Sequence, residues 1–294
     1  WASYTSYSDE NRDRVYGNAG VEWNIAKGLK ATAKVHGDVY TYSVEDRIAV
    51  YSRTTSMYSE KVQRFQEFNY EAMLHYNTAL KNFTLNAFIG TNLMHQRRNI
   101  NNGETQGGLI IPEYYNLSNA TSVLTTDKTY RKEIRSLLGN VSLGWKSMLF
   151  ADATFRNDWS STLPANENSY FYPSFSGSFI FTELEPVKAV SWLNFGKVRL
   201  GWAQVGNDTD PYSLSRTYEY KNSSFGGVPN YGLDIILNNA HLKPELTNSV
   251  EAGIELKLLN NRVGLDLTYY NNLTKNQIMQ VPLAASSGYT SQWM

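Results

Sequence analysis

Three observations predict an all-β chain that forms part of a large antiparallel transmembrane β-barrel. Apolar residues recur at every second position along about ten segments, which gives each strand one oily and one polar side. No run approaches the ~18–20 consecutive apolar residues of a membrane helix, whereas a strand crosses with ~9–11 residues of diluted hydrophobicity. Connections between the segments alternate between short and long, as in barrels with short periplasmic turns and long extracellular loops.

The clearest hairpin lies late in the chain. Val250, Ala252, Ile254, Leu256 and Leu258 alternate with Ser249, Glu251, Gly253, Glu255 and Lys257. After the turn Leu259-Asn260-Asn261-Arg262, the pattern resumes with Val263, Leu265, Leu267 and Tyr269 against Gly264, Asp266, Thr268 and Tyr270. Each half is long enough to cross a bilayer as a tilted strand.

From the start, residues 1–15 read as the polar, aromatic tail of an earlier strand. A first hairpin carries Ala19, Val21, Trp23 and Ile25, turns at Ala26-Lys27-Gly28, and returns through Leu29, Ala31, Ala33, Val35 and Val39. A polar stretch from Thr41 to Phe65 leads to Phe68, Tyr70, Ala72, Leu74 and Tyr76, then to Phe83, Leu85, Ala87 and Ile89. The longest irregular stretch is expected from Leu93 to Ile134. A third hairpin pairs Leu137, Val141, Leu143 and Trp145 with Leu149, Ala151, Ala153 and Phe155 across Lys146-Ser147. Asn157 to Ser169 read as a loop, and Phe171, Phe175, Phe179 and Phe181 mark a seventh strand. Val198, Leu200 and Trp202 form an eighth. Gly206 to Leu246 form a second long loop, and Asn272 to Met294 begin another.

Composition narrows the function. The 294 residues have zero formal net charge, so no global field points to nucleic acid. There is no Cys, hence neither a disulfide framework nor a thiolate metal site. The four His (His36, His75, His95, His241) show no His-x-x-x-His spacing for zinc, and His36 and His75 fall on expected polar faces. Asp158-Trp159-Ser160-Ser161 offers an acid and hydroxyls but no His with them, so a backbone-bonding turn is the plain reading. Asn207-Asp208-Thr209-Asp210 groups oxygens of the kind Ca²⁺ takes, without a complete loop signature. Gly107-Gly108 and Gly226-Gly227 open no helix with a following Lys-Ser/Thr and read as loop hinges. No enzyme is indicated, and no cofactor.

Several stretches carry a resemblance. Arg156-Asn157-Asp158-Trp159-Ser160-Ser161-Thr162-Leu163-Pro164 with Ser169-Tyr170-Phe171-Tyr172-Pro173-Ser174, Lys197 to Asn207, Leu242-Lys243-Pro244-Glu245, and Asp266 to Tyr270 with Thr274 to Ile278 follow one another in order. Together they resemble SusC/RagA-type TonB-dependent outer-membrane transporters of Bacteroidota. The resemblance implies energy-dependent import through TonB, a SusD-like surface lipoprotein acting as a lid, and oligosaccharide or peptide cargo. It also implies a longer chain: an N-terminal plug inside a 22-stranded barrel, neither of which residues 1–294 contain. This stretch is therefore expected to be a piece cut at both ends, a single partial barrel domain that reaches TonB only through the missing N-terminal part.

Two residue sets follow. Tyr114, Tyr115, Trp159, Tyr218, Tyr220 and Tyr231 are loop aromatics suited to stacking on cargo or packing under a lid, or else to closing loops and lining an interfacial girdle. Glu71, Asp152, Arg156, Arg199, Glu251, Glu255 and Asp266 are expected to face the lumen as a mixed-sign wall. Two other readings fit the same pattern. One is a structural or scaffold barrel subunit of a larger surface assembly; the other is a soluble carbohydrate-binding β-protein.

Overall fold

The computed structural model describes residues 5–225 and 228–294, and the side chains of all of these except 219–225 and 229. Ten strands form one sheet: β1 (Ser8–Ala26), β2 (Leu29–Ile48), β3 (Met57–Leu80), β4 (Phe83–Gln106), β5 (Ser122–Trp145), β6 (Leu149–Ser160), β7 (Ser169–Ile180), β8 (Leu193–Asn207), β12 (Glu245–Leu258) and β13 (Val263–Lys275). They lie in chain order, each antiparallel to the next, with β12 directly beside β8. Between β8 and β12, β9 (Tyr218–Phe225) and β10 (Val228–Leu233) make a separate hairpin. β11 (Ile236–Leu237), β14 (Gln280–Pro282) and β15 (Ser291–Trp293) form a small sheet beyond it. Among the described residues, none builds a separate plug-like domain.

Register explains why the alternation matters. Leu200, Ala252 and Tyr269 lie in one row across β8, β12 and β13, as do Val198, Ile254 and Leu267. The oily residues of neighbouring strands therefore share one face, and the charged positions between them fall on the other. The oily face has no covering layer: Val21 is 70% exposed, Trp23 68% and Leu200 61%. On β4 this face runs from Phe83 through Leu85, Ala87 and Ile89 to Leu93 before His95 ends it. Ten rises of ~3.4 Å, tilted by about 40°, give a band of roughly 26 Å, the height of a bilayer-facing girdle.

All short connections gather at one end. Lys27-Gly28 joins β1 to β2, and Gly28 has φ +78°. A Cβ there would meet the carbonyl oxygen of Asn77 at 2.2 Å, so this turn needs glycine. Lys146 and Ser147 both have positive φ (50° and 55°), the backbone of a tight hairpin turn whose twist matches the strands. The β7–β8 link is longer, a 3₁₀ turn (Phe181–Glu183) and one helical turn (Glu185–Lys188).

The structure moves several expected boundaries. Ser8 to Val15 belong to β1 itself rather than to an earlier strand. The polar stretch 41–65 contracts to a loop of 49–56, and the stretch 93–134 to 107–121, because β2 to β5 continue far past the oily band. Beyond lipid neither face needs to be apolar, so the period-two signal fades while the hydrogen-bonded ladder persists. Pairs such as Tyr40 stacked on Phe65 (ring centroids 4.7 Å apart) and Arg98 over Tyr130 (4.7 Å) hold the extension together. Asn157 to Ser160 likewise extend β6. Phe181 leaves the strand, and its ring covers Gly196, where a Cβ would come within 2.2 Å of Cζ. Residues 206–246 and 272–294 contain β9–β11, β14 and β15 where loops are expected. Gly226-Gly227 lie outside the described residues.

Candidate functional site

The seven charged residues of the mixed-sign set all share the polar face. Glu71 stands opposite Lys34 and Asn92, and Asp152 opposite Ser142 and Ser176. Arg156 stands opposite Leu138 and Tyr172. Its Nε donates to Asp158 at 2.9 Å and its terminal nitrogen to Ser136 Oγ at 2.9 Å, while Tyr172 donates its hydroxyl to the same Asp158 at 2.5 Å. Glu71 and Arg156 come together in lining one hollow with His36, Asn69, Asn92 and Leu138.

On the other flank Arg199 is the centre. It lies on β8, and Asp266 lies two strands away on β13, yet its guanidinium donates to Asp266 at 2.6 Å and to Thr268 at 2.5 Å, with Glu251 at 3.8 Å. The intervening residue on β12 is Gly253, directly opposite both Arg199 and Thr268. A Cβ at Gly253 would sit 2.5 Å from Arg199 Nε, so the missing side chain is what lets the arginine cross the strand. Glu255, opposite Lys197 and Asp266, completes the group.

The loop aromatics divide. Tyr114 is half exposed in the β4–β5 loop. Tyr115 instead closes that loop: its hydroxyl donates to the Thr5 carbonyl at 3.1 Å and the Arg47 guanidinium lies 5.3 Å from its ring. Trp159 is a strand residue of β6, on the oily face opposite Arg135 and Ser169, which corrects its expected place in a loop. Tyr218 and Tyr231 are strongly exposed on the β9–β10 hairpin. Tyr220 pairs with Tyr231 along the backbone, and its side chain lies outside the described residues.

The long-connection end is built around Asp208, whose side chain is only 5% exposed. Its carboxylate accepts from Lys132 Nζ at 2.5 Å, from Thr162 Oγ1 at 3.1 Å and from Ser160 Oγ. This ties the exit of β8 to β5 and to the β6–β7 loop. Of the oxygens that suggested Ca²⁺, those of Asp208 are thus engaged by an ammonium and two hydroxyls, while Asn207 donates to Glu245 at 3.1 Å. Tyr170 packs beside this hub, its ring stacked on Tyr172 (centroids 5.8 Å apart).

Next to the hub opens a cavity of about 830 Å³ between the extension of β5 and the chain after β8. Tyr130, Tyr212, Trp293, Asp127, Asp210 and Asp234 line it, with the Tyr130 and Tyr212 rings 6.0 Å apart. Aromatic faces beside carboxylates suit a hydroxyl- or amide-bearing chain. Sequence reasoning missed Tyr130, Tyr212 and Trp293. Tyr130 lay in a stretch expected to be irregular, so it had no face; the Asp210-Pro211-Tyr212 turn was the one available signal.

Comparison with known proteins gives a consistent picture. A family described as TonB dependent receptor-like, β-barrel, matches residues 1–293. The chain is 27% identical over 184 residues to TonB-dependent receptor P26 of Formosa agariphila, covering 61% of this chain and 18% of that protein. It is 23% identical over 244 residues to receptor P39 of the same organism, covering 79% and 22%. The chain thus spans about a fifth of the length of these relatives. Among solved structures, the RagAB peptide transporter matches with a TM-score of 0.83 at 17% identity, over 99% of this chain and 33% of that one. The siderophore receptor PirA from Acinetobacter baumannii matches at 0.51 and 12% identity, over 97% and 48%.

Proposed function

This chain belongs to the TonB dependent receptor-like β-barrel family of the bacterial outer membrane, and we propose that it forms part of the wall of a SusC-like importer. One observation supports this reading above the others. Ten paired strands put an uncovered oily band on one face, a charged wall on the other, the tightest turns at one end and the two longest connections, 107–121 and 208–244, at the other. Such a sheet meets hydrocarbon with the first face and lines an aqueous lumen with the second.

In this reading Glu71, Asp152, Arg156, Arg199, Glu251, Glu255 and Asp266 face the lumen, where their alternating signs give a wetted wall with no single-sign trap for cargo. The long-connection end is extracellular. Its cavity, with Tyr130, Tyr212 and Trp293, receives part of an oligosaccharide or peptide. Tyr114, Tyr218 and Tyr231 are presented to cargo or to a SusD-like lipoprotein lid, Tyr115 braces its loop, and Trp159 joins the interfacial girdle. Energy arrives through TonB by way of a segment outside these residues. The process moves cargo without breaking a covalent bond and needs no cofactor.

The test is uptake of labelled oligopeptides and oligosaccharides by cells carrying the full protein. Accumulation should require both TonB and this protein, and Tyr130→Ala with Tyr212→Ala should weaken cargo binding. Uptake that persists without TonB would overturn the importer reading.

A further inference from the structure

We propose that the oily face carries, directly above its outer boundary, a binding site for the phosphate group of an outer-leaflet lipid, formed by Arg97 and Arg131 with Arg64 and Arg135. The proposal rests on the membrane placement argued above. All four arginines lie on the same face of the sheet as Leu74, Ile89 and Leu137, a few positions outward of Phe68, Leu93 and Leu137, where the continuous oily band of their strands ends. All four are exposed. Their guanidinium groups therefore sit at headgroup depth on the lipid side of the wall, not in the lumen.

Charge bookkeeping marks the site. Arg97 and Arg131 are direct cross-strand partners, an arrangement that repels unless an anion lies between them. Among the described residues neither forms an ion pair. The one carboxylate inside the patch, Glu133, is engaged by Arg135 at 2.8 Å and by His95 at 3.4 Å. Arg64 donates to Asn101 at 3.3 Å, a neutral partner. Asp127, farther out on the same face, accepts from Asn99 at 2.9 Å. Gln66, opposite Arg97, adds a neutral donor. Two planar guanidinium groups on adjacent strands match the oxygens of a phosphate, and the oily band beneath offers a surface for its acyl chains. A soluble anion would meet the arginines alone.

The test uses full-length protein extracted from outer membranes in mild detergent, with co-purifying lipid counted by native mass spectrometry and phosphorus analysis. Wild type should retain a phosphorylated lipid, and Arg97→Gln with Arg131→Gln should weaken retention roughly 30-fold, the equivalent of about 2 kcal/mol for two interfacial cations. The charge-conserving double variant, Arg97→Lys with Arg131→Lys, should keep most of it. Enzymatically dephosphorylated lipid should bind neither wild type nor the Gln variant. Equal retention by these two proteins would overturn the proposal. So would displacement by inorganic phosphate at equal concentration, which would mark a soluble-anion site, or selective loss of a co-purifying acidic protein. Heat-modifiable migration of both proteins reads barrel insertion separately, and cargo uptake should be unchanged in the Gln variant. A protein that fails to insert at all would count against the membrane reading rather than against this site.

Discussion

At the scale of single residues, the decisive positions are small ones that let large ones pass. Gly253 gives Arg199 its path across β12, and this makes a coupled prediction. In a Gly253→Ser background, Arg199 cannot lie over the strand, so a further Asp266→Asn change should add nothing to thermal stability. In the wild-type background it should lower stability measurably. Gly201→Ser is the control, because the nearest atom to a Cβ there is 4.0 Å away.

At the scale of elements, strands were legible where lipid contact enforces alternation and illegible beyond it. The late hairpin, β12 with β13, could be read residue by residue because Leu256, Leu265 and their neighbours must all point one way. The outer half of β4, with Arg97-Arg98-Asn99, has polar side chains on both faces, so nothing in its pattern separates strand from loop; only the partner strand does. The seven charged wall residues were legible for the first reason. The cavity aromatics were not, since Tyr130 and Tyr212 meet only through tertiary placement of a loop. Two predictions belong here. Leu265→Arg puts a cation on the lipid face, at a cost approaching the ~2–4 kcal/mol of a midplane arginine, read as lost folded yield in outer membranes, whereas Asp266→Asn should still assemble. Asp208→Asn removes one partner of a buried ion pair and should cost about 3–5 kcal/mol locally. Faster proteolytic cleavage within 208–244, with the barrel band intact, would report it.

At the scale of the whole molecule, the sheet is open. β1 and β13 each have one neighbour, and in hydrocarbon a row of unpaired N–H and C=O groups costs several kcal/mol per group. Two solutions exist: β1 and β13 pair with each other, closing ten strands, or each pairs with further strands of a larger barrel. The sheet matches one third of the RagAB transporter chain across 99% of this one, which favours the second solution, an arc of a larger barrel. A narrow ten-strand closure would need a much tighter bend. Because the sequence has no Cys, engineered pairs report cleanly on the choice. Val21→Cys with Ala33→Cys, direct partners on β1 and β2, should cross-link in the assembled protein. Val21→Cys with Leu267→Cys, on β1 and β13, should not, since other strands intervene. Efficient cross-linking of the second pair in membranes would mean that the ten strands close on themselves. That would leave no lumen wide enough for oligomeric cargo, and the polar wall would then be a packed interior rather than a transport path.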